Sequence, residues 1–134
     1  GVEIIALDAT ERPRPDGRTL EELVSILHEK YPNQLFMADC SNYEEGVHAA
    51  RLGFDLVGTT LAGYTEYTKN TKLPSLSLMK RLVENVSVPV IAEGGIWSPK
   101  QLKAAMDTGV TAAVVGSAIT RPMEITKYFL KGMK

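Results

Sequence analysis

The sequence predicts an α/β protein with a single parallel sheet. Three observations carry that reading. Five short apolar runs alternate strictly with stretches of helical periodicity. Each helical stretch opens on a capping signal or closes on a stop signal. The apolar runs end on acids, glycines or hydroxyl residues. Runs this short suit buried strands rather than helices, and strict βα alternation calls for right-handed crossovers in a parallel sheet. Two architectures fit: a five-stranded doubly wound sheet, or part of an eight-fold βα barrel.

Glu3-Ile-Ile-Ala-Leu-Asp8 is the first strand. A polar loop rich in Pro and Arg, Thr10 to Arg18, leads to a capping box at Thr19-Leu-Glu-Glu22. The following helix puts Leu20, Leu23, Val24 and Leu27 on one face and stops at Tyr31-Pro32-Asn33. Leu35-Phe-Met-Ala-Asp39 is the second strand. Ser41-Asn-Tyr-Glu44 reads as a second capping box, and Gly53 as the left-handed stop of its helix. Phe54 to Val57 is the third strand, with Gly58-Thr59-Thr60 at its end. The long connection Leu61 to Pro74 has the length of a lid or binding loop. Ser75 is expected to cap a third helix that runs to about Asn85. Val88 to Ala92 is the fourth strand, followed by Glu93-Gly94-Gly95. Ser98-Pro99-Lys100-Gln101 opens a helix that Gly109 closes. Ala112 to Gly116 is the fifth strand, and a last helix is expected from Arg121 or Pro122 to the end.

Internal echoes favour the barrel. Gly1-Val-Glu-Ile-Ile, Gly53-Phe-Asp-Leu-Val and Gly109-Val-Thr-Ala-Ala share one pattern, two βα units apart each time. Met37-Ala-Asp39 and Ile91-Ala-Glu93 also echo one another. Alternation every second strand suits a barrel whose odd and even strands fill different layers. Gly53 and Gly109 each end a helix, so Gly1 is expected to end one too. The chain is therefore read as starting within a longer domain.

Bulk properties exclude several function classes. The chain has 134 residues, net charge −1, 44% hydrophobic and 23% charged residues. That balance gives no general attraction to nucleic acid or to an anionic membrane. No long apolar run or signal-peptide pattern is present, which makes the cytoplasm the expected location. The lone Cys40 fits a reducing compartment and is expected to be a small buried filler rather than a nucleophile. His28 and His48 lie in helical patterns without partner ligands, so no metal site is expected.

With parallel strands, all the polar strand-end groups share one rim: Asp8, Asp39, Thr59, Thr60, Glu93, Gly94, Gly95, Gly116 and Ser117. Gly94 and Gly95 after one strand, and Gly116, Ser117 and Arg121 after the next, suit a phosphate cradle of backbone N–H groups plus one charged donor. Glu93 and Asp39 are candidates for proton transfer or for holding substrate hydroxyls. Asp8 fits either a cap of its own loop or an anchor for Arg12, Arg14 or Arg18. Tyr64, Tyr67, Lys69 and Lys72 read first as solvated loop residues, and Trp97 as a packing residue. No lysine stands at a strand end.

Several stretches together resemble one family. They are Ile4 to Thr10, Met37 to Asp39, Gly58-Thr-Thr-Leu-Ala-Gly-Tyr-Thr-Glu-Tyr-Thr68, Pro89 to Ile96, and Val114-Val-Gly-Ser-Ala-Ile-Thr-Arg-Pro122. They are similar to N-acetylmannosamine-6-phosphate 2-epimerases, isomerases of sialic-acid breakdown that use no redox cofactor. The resemblance implies a (β/α)8 TIM barrel, with residues 1–134 as the C-terminal portion of that one domain, strands four to eight. It implies a phosphorylated amino sugar as ligand, interconverted between N-acetylmannosamine 6-phosphate and N-acetylglucosamine 6-phosphate by proton removal and return at C2. Glu93 would be catalytic. Asp39, Thr60 and Tyr64 would bind substrate, and Gly94, Gly95, Gly116, Ser117 and Arg121 would bind phosphate. The family's catalytic lysine lies in three further βα units without a counterpart in this sequence. For the 134 residues alone, the other readings are an inactive or split phosphate-binding half that needs a complementing N-terminal segment or a homodimer partner, and a barrel enzyme acting on another phospho-sugar.

Overall fold

The computed structural model describes residues 1–133; Lys134, the expected end of the last helix, lies outside them. Five strands and six helices alternate: β1 (Ile4–Asp8), α1 (Leu20–Lys30), β2 (Leu35–Asp39), α2 (Tyr43–Leu52), β3 (Leu56–Gly58), α3 (Leu76–Asn85), β4 (Val90–Ala92), α4 (Pro99–Met106), β5 (Ala112–Ala113), α5 (Ser117–Thr120) and α6 (Pro122–Lys131). The strands are all parallel and lie in sequence order, β1-β2-β3-β4-β5. A doubly wound sheet reverses strand order at a switch point. This sheet has no reversal, and the open choice between architectures falls to the barrel.

Register follows from side-chain alternation. Asp8 pairs with Asp39, Asp39 with Gly58, Gly58 with Ile91, and Ile91 with Ala112. These residues share one face of the sheet. Phe36, Ala38, Val57, Val90 and Ala92 point to the other, where they form the core with Leu20 and Val24 of α1, Ala49 of α2, Met79 and Leu82 of α3, and Ala105 of α4. Gly46 of α2 lies against Leu82 of α3. A Cβ there would stand 2.5 Å from Leu82 Cδ2. The opposite face keeps apolar side chains in the open, with Ile4, Leu35 and Val114 at 43%, 44% and 41% exposure. Parallel sheets normally have both faces covered.

Most expected elements form, and the differences have local causes. The third strand starts at Leu56, not Phe54. Phe54 is buried in the turn, and Asp55 closes on β2 by donating its N–H to Phe36 O and accepting Phe36 N–H at 2.8 Å. The fourth strand begins at Val90, after Pro89, which has no N–H to give to a ladder. The second capping box is one residue later than expected: Asn42 is the N-cap and Glu45 its partner. Ser75 precedes α3 but its side chain makes no capping bond. The last helix, α6, begins at Pro122 as expected, and an additional four-residue helix, α5, precedes it, with Arg121 between them. Gly53 is left-handed at the end of α2, as its position requires (φ 96°).

Leu82 is fully buried where α2, α3 and the sheet meet. Leu82→Ala is expected to cost about 2–5 kcal/mol, read as a lower urea midpoint at unchanged slope.

Candidate functional site

The rim at the carboxyl ends of the strands holds an acid pair bridged by a hydroxyl. Asp39 ends β2. Glu93 lies two residues beyond Ile91, so strand alternation projects it on the same sheet face as Asp39. Between them on that face lies Gly58, which has no side chain. The space belongs to the Thr60 hydroxyl, 2.6 Å from Asp39 Oδ1 and 3.3 Å from Glu93 Oε2. A Cβ on residue 58 would come within 2.9 Å of that hydroxyl. Glu93 is fixed through its backbone as well. The buried Thr59 hydroxyl donates to Glu93 O at 2.8 Å and accepts Glu93 N–H at 3.0 Å.

Gly94 and Gly95 follow with φ of 97° and 72°, the left-handed region that glycine enters at least cost. Gly95 has a second reason to be glycine: a Cβ would stand 2.4 Å from Leu73 Cβ. The turn therefore sits directly under the end of the long Leu61–Pro74 loop.

A cleft of about 660 Å³ opens beside this turn. Its floor carries Glu93, Gly94 and Gly95. The far wall is Gly116, Ser117, Thr120 and Arg121. The near wall comes from Thr60 and the long loop, through Leu61, Tyr64 and Leu73; Ile96, Trp97, Gln101, Val114 and Tyr128 complete it. Trp97 stacks on Tyr128 with ring centroids 5.3 Å apart, joining the Gly-Gly turn to α6. It packs, as expected, but on the wall of the cleft.

The family model described as "Putative N-acetylmannosamine-6-phosphate epimerase" matches residues 1–134. The chain belongs to this epimerase family. Two curated relatives bear the name "Putative N-acetylmannosamine-6-phosphate 2-epimerase". One, from Caldanaerobacter subterraneus subsp. tengcongensis, is 50% identical over 100% of this chain and 56% of its own. The other, from Clostridium perfringens strain SM101, is 51% identical over 98% of this chain and 59% of its own. The solved N-acetylmannosamine-6-phosphate 2-epimerase from Clostridium perfringens superposes with a TM-score of 0.88 at 51% identity, over 96% of this chain and 56% of that one. A thiamine phosphate pyrophosphorylase from Pyrococcus furiosus, TM-score 0.64 at 24% identity, covering 87% of this chain and 50% of its own, shares the fold alone. The chain thus spans somewhat over half the length of the curated relatives it matches.

Within this epimerase-family chain, Glu93, Gly94, Gly95, Gly116, Ser117, Arg121, Thr60 and Tyr64 all line one cleft. Asp39 is not on its wall and reaches it through Thr60. Arg121 stands at the N-cap position of α6 without a side-chain capping bond, and is exposed. Asp8 fills both roles open to it: it accepts from Thr10 N–H and hydroxyl and pairs with Arg12, while Arg14 donates to its backbone oxygen. Cys40 is fully buried, and burial, with the charges of Glu45, Asp39 and Asp8, pushes its thiol far above its ordinary range. Among the described residues no lysine lines the cleft.

Two groups escape a reading by residue type. Leu73 carries no chemical mark, yet it seats the long loop on Gly95. Glu45, passed over for its neighbour Glu44, is buried and takes donors from three loops. A one-residue shift of the helix start would have exposed it.

Both acids are held above the ordinary carboxylate value. Burial pushes the Glu93 carboxyl above its usual value, and the charge of Asp39 adds to this against the Thr60 bond. Burial likewise raises Asp39, opposed by Thr60 and helped by the charge of Asp8. Asp8 goes the other way: burial raises it, but the Thr10 bonds and Arg12 outweigh that and hold it low. For an acid raised on folding, the folded state binds more protons above the ordinary carboxylate range, so stability falls as pH rises through the folded value. Glu93→Gln is therefore expected to stabilise the protein at neutral pH, with the gain lost as pH falls through the folded value towards about 4.5. Denaturant titrations of both proteins at pH 4 and pH 7 check the sign.

Proposed function

We propose that this chain carries the phosphate cradle and one acid of an epimerase that interconverts N-acetylmannosamine 6-phosphate and N-acetylglucosamine 6-phosphate in sialic-acid breakdown, in the cytoplasm. The observation that carries the reading is the cleft in which Glu93 adjoins two glycine turns. It has a proton-handling group on its floor and backbone N–H groups beside it, in a chain of the epimerase family.

In this reading the phosphate lies between Gly94-Gly95 and Gly116-Ser117, with Arg121 as charged donor. Phosphate binding, remote from C2, serves to position the sugar. The sugar ring opens, and the C1 aldehyde acidifies the C2 proton. A base removes that proton, leaving an enolate across C1 and C2, and a proton returns to the opposite face of C2. The base is a lysine of the family's remaining βα units. Glu93, with its raised affinity for protons, assists ring opening and orients the reacting end. Asp39 holds the sugar through Thr60, and Tyr64 closes over it from the loop. No redox cofactor enters, because the carbon skeleton is neither oxidised nor reduced overall. The exposed sheet face of Ile4, Leu35 and Val114 is where the barrel's other strands, in a complementing N-terminal segment, would pack, making residues 1–134 the C-terminal portion of one TIM-barrel domain.

The test uses the full-length protein encoded by the gene, given N-acetylmannosamine 6-phosphate in deuterated water. The expected product is N-acetylglucosamine 6-phosphate with one deuterium at C2. Product without that label would rule out proton transfer at C2. Glu93→Gln is expected to lower kcat by at least about a hundredfold, on the usual scale of a lost acid–base group. Undiminished turnover would remove Glu93 from the chemistry.

A further inference from the structure

Among the described residues Glu45 is the most heavily hydrogen-bonded side chain, and the proposed reaction does not use it. It is 3% exposed and sits in the first turn of α2. Its Oε2 accepts the Ser41 N–H at 2.6 Å, the Ser41 hydroxyl at 2.7 Å and the Asn42 N–H at 3.2 Å. Its Oε1 accepts the Glu11 N–H at 3.1 Å and the Tyr67 hydroxyl at 2.5 Å. These donors come from the loops after β1, β2 and β3. The ionised carboxylate offers only acceptors, so it can satisfy all five.

The network continues into the long loop. Thr65 Oγ1 lies 3.3 Å from Ser41 Oγ and 2.6 Å from Thr68 Oγ1, and Thr68 Oγ1 accepts the Gly63 N–H at 3.1 Å. Ser41, Thr65 and Thr68 are all buried. A chain of hydroxyls thus runs from Glu45 to Gly63, next to Tyr64 on the cleft wall. The far end of the same loop rests on Gly95 through Leu73. The loop is a strap fastened at two points; Tyr64 at the first and Leu73 at the second form the near wall of the cleft, together with Leu61 just before them.

We propose that Glu45 is a positioning residue that latches the Leu61–Pro74 loop through Tyr67, Ser41 and Thr65, and so holds the near wall of the cleft in its substrate-binding shape. Ser41, Glu45, Thr65 and Tyr67 do not line the cleft that holds Glu93, so the latch governs how well substrate is held rather than the proton step. A capping role alone needs only the Ser41 and Asn42 contacts. The Tyr67 bond adds nothing to α2 and is the part specific to the latch.

Tyr67→Phe removes that bond, along with the hydroxyl that accepts the Glu11 N–H at 3.2 Å, and leaves the cap. The kinetic half of its test rests on the epimerase reading; the exchange half does not. In the full-length protein, amide hydrogen exchange across residues 61–73 is expected to speed up about tenfold, the scale of one lost hydrogen bond to a carboxylate, while α2 is unchanged. KM for N-acetylmannosamine 6-phosphate is expected to rise at least about fivefold with kcat within about twofold. Glu45→Gln places amide N–H groups against donors and is expected to loosen both the loop and α2; if it does not fold, Tyr67→Phe decides alone. Unchanged exchange in residues 61–73 of Tyr67→Phe overturns the latch. Faster exchange with unchanged KM overturns its role in shaping the cleft. Should the wild-type protein show no epimerase activity, the function reading fails, and the exchange result still decides the latch.

Discussion

Parallel pairing in unbroken sequence order is the constraint on which this molecule depends. It puts the amino ends of all strands at one edge and the carboxyl ends at the other, so each apolar run delivers the residue that follows it to the same rim. The register Asp8–Asp39–Gly58–Ile91 then decides which of those residues share a face. A slip of one residue in β4 would turn Glu93 toward the helices and put Ala92 on the face of Asp39. Such a slip is costly, because it would also pull Val90 and Ala92 out of the core.

The rim works by division of labour between side chains and backbone. Carboxylates occupy one part, where the charge of Asp39 helps raise Glu93 and the two share one hydroxyl. Glycine turns occupy the other, where the lack of a Cβ lets backbone approach a ligand. Glycine 58 serves the first part in the same way that Gly95 serves the second: each leaves room for a specific neighbour, the Thr60 hydroxyl in one case and Leu73 in the other. Arg12 neutralises Asp8 at the edge of this acid group, which keeps a third carboxylate from competing for protons.

The strands and the rim groups were legible because an apolar run followed by an acid or glycine is a local mark. Asp39, Glu93, Gly94, Gly95, Gly116 and Ser117 all fall where such marks placed them. The long loop was not legible beyond its length, since its order comes from contacts across the fold: Thr65 with Ser41, Tyr67 with Glu45, Leu73 with Gly95. The start of α2 shows the limit most clearly. Ser41 and Asn42 are both good caps, and Glu44 and Glu45 both good partners. Tertiary packing makes the choice. Gly46 must face Leu82 and Val57, and a helix begun one residue earlier would rotate about 100° and carry a larger side chain into that contact. Strand lengths were overestimated for a similar reason, because Phe54 and Val88 are apolar through burial in turns or partial packing and not through strand pairing.

The central claim is spatial: one cleft holds the phosphate between two glycine turns and the reacting carbon near Glu93. A crystal structure of the full-length protein with N-acetylglucosamine 6-phosphate tests it directly. The expected result has phosphate oxygens within about 3 Å of the Gly95 and Ser117 backbone nitrogens, the geometry of a charge-assisted hydrogen bond, with the sugar extending toward Glu93 and Thr60. A phosphate seated instead against Arg12 and Arg14, with the glycine turns empty, would contradict the account.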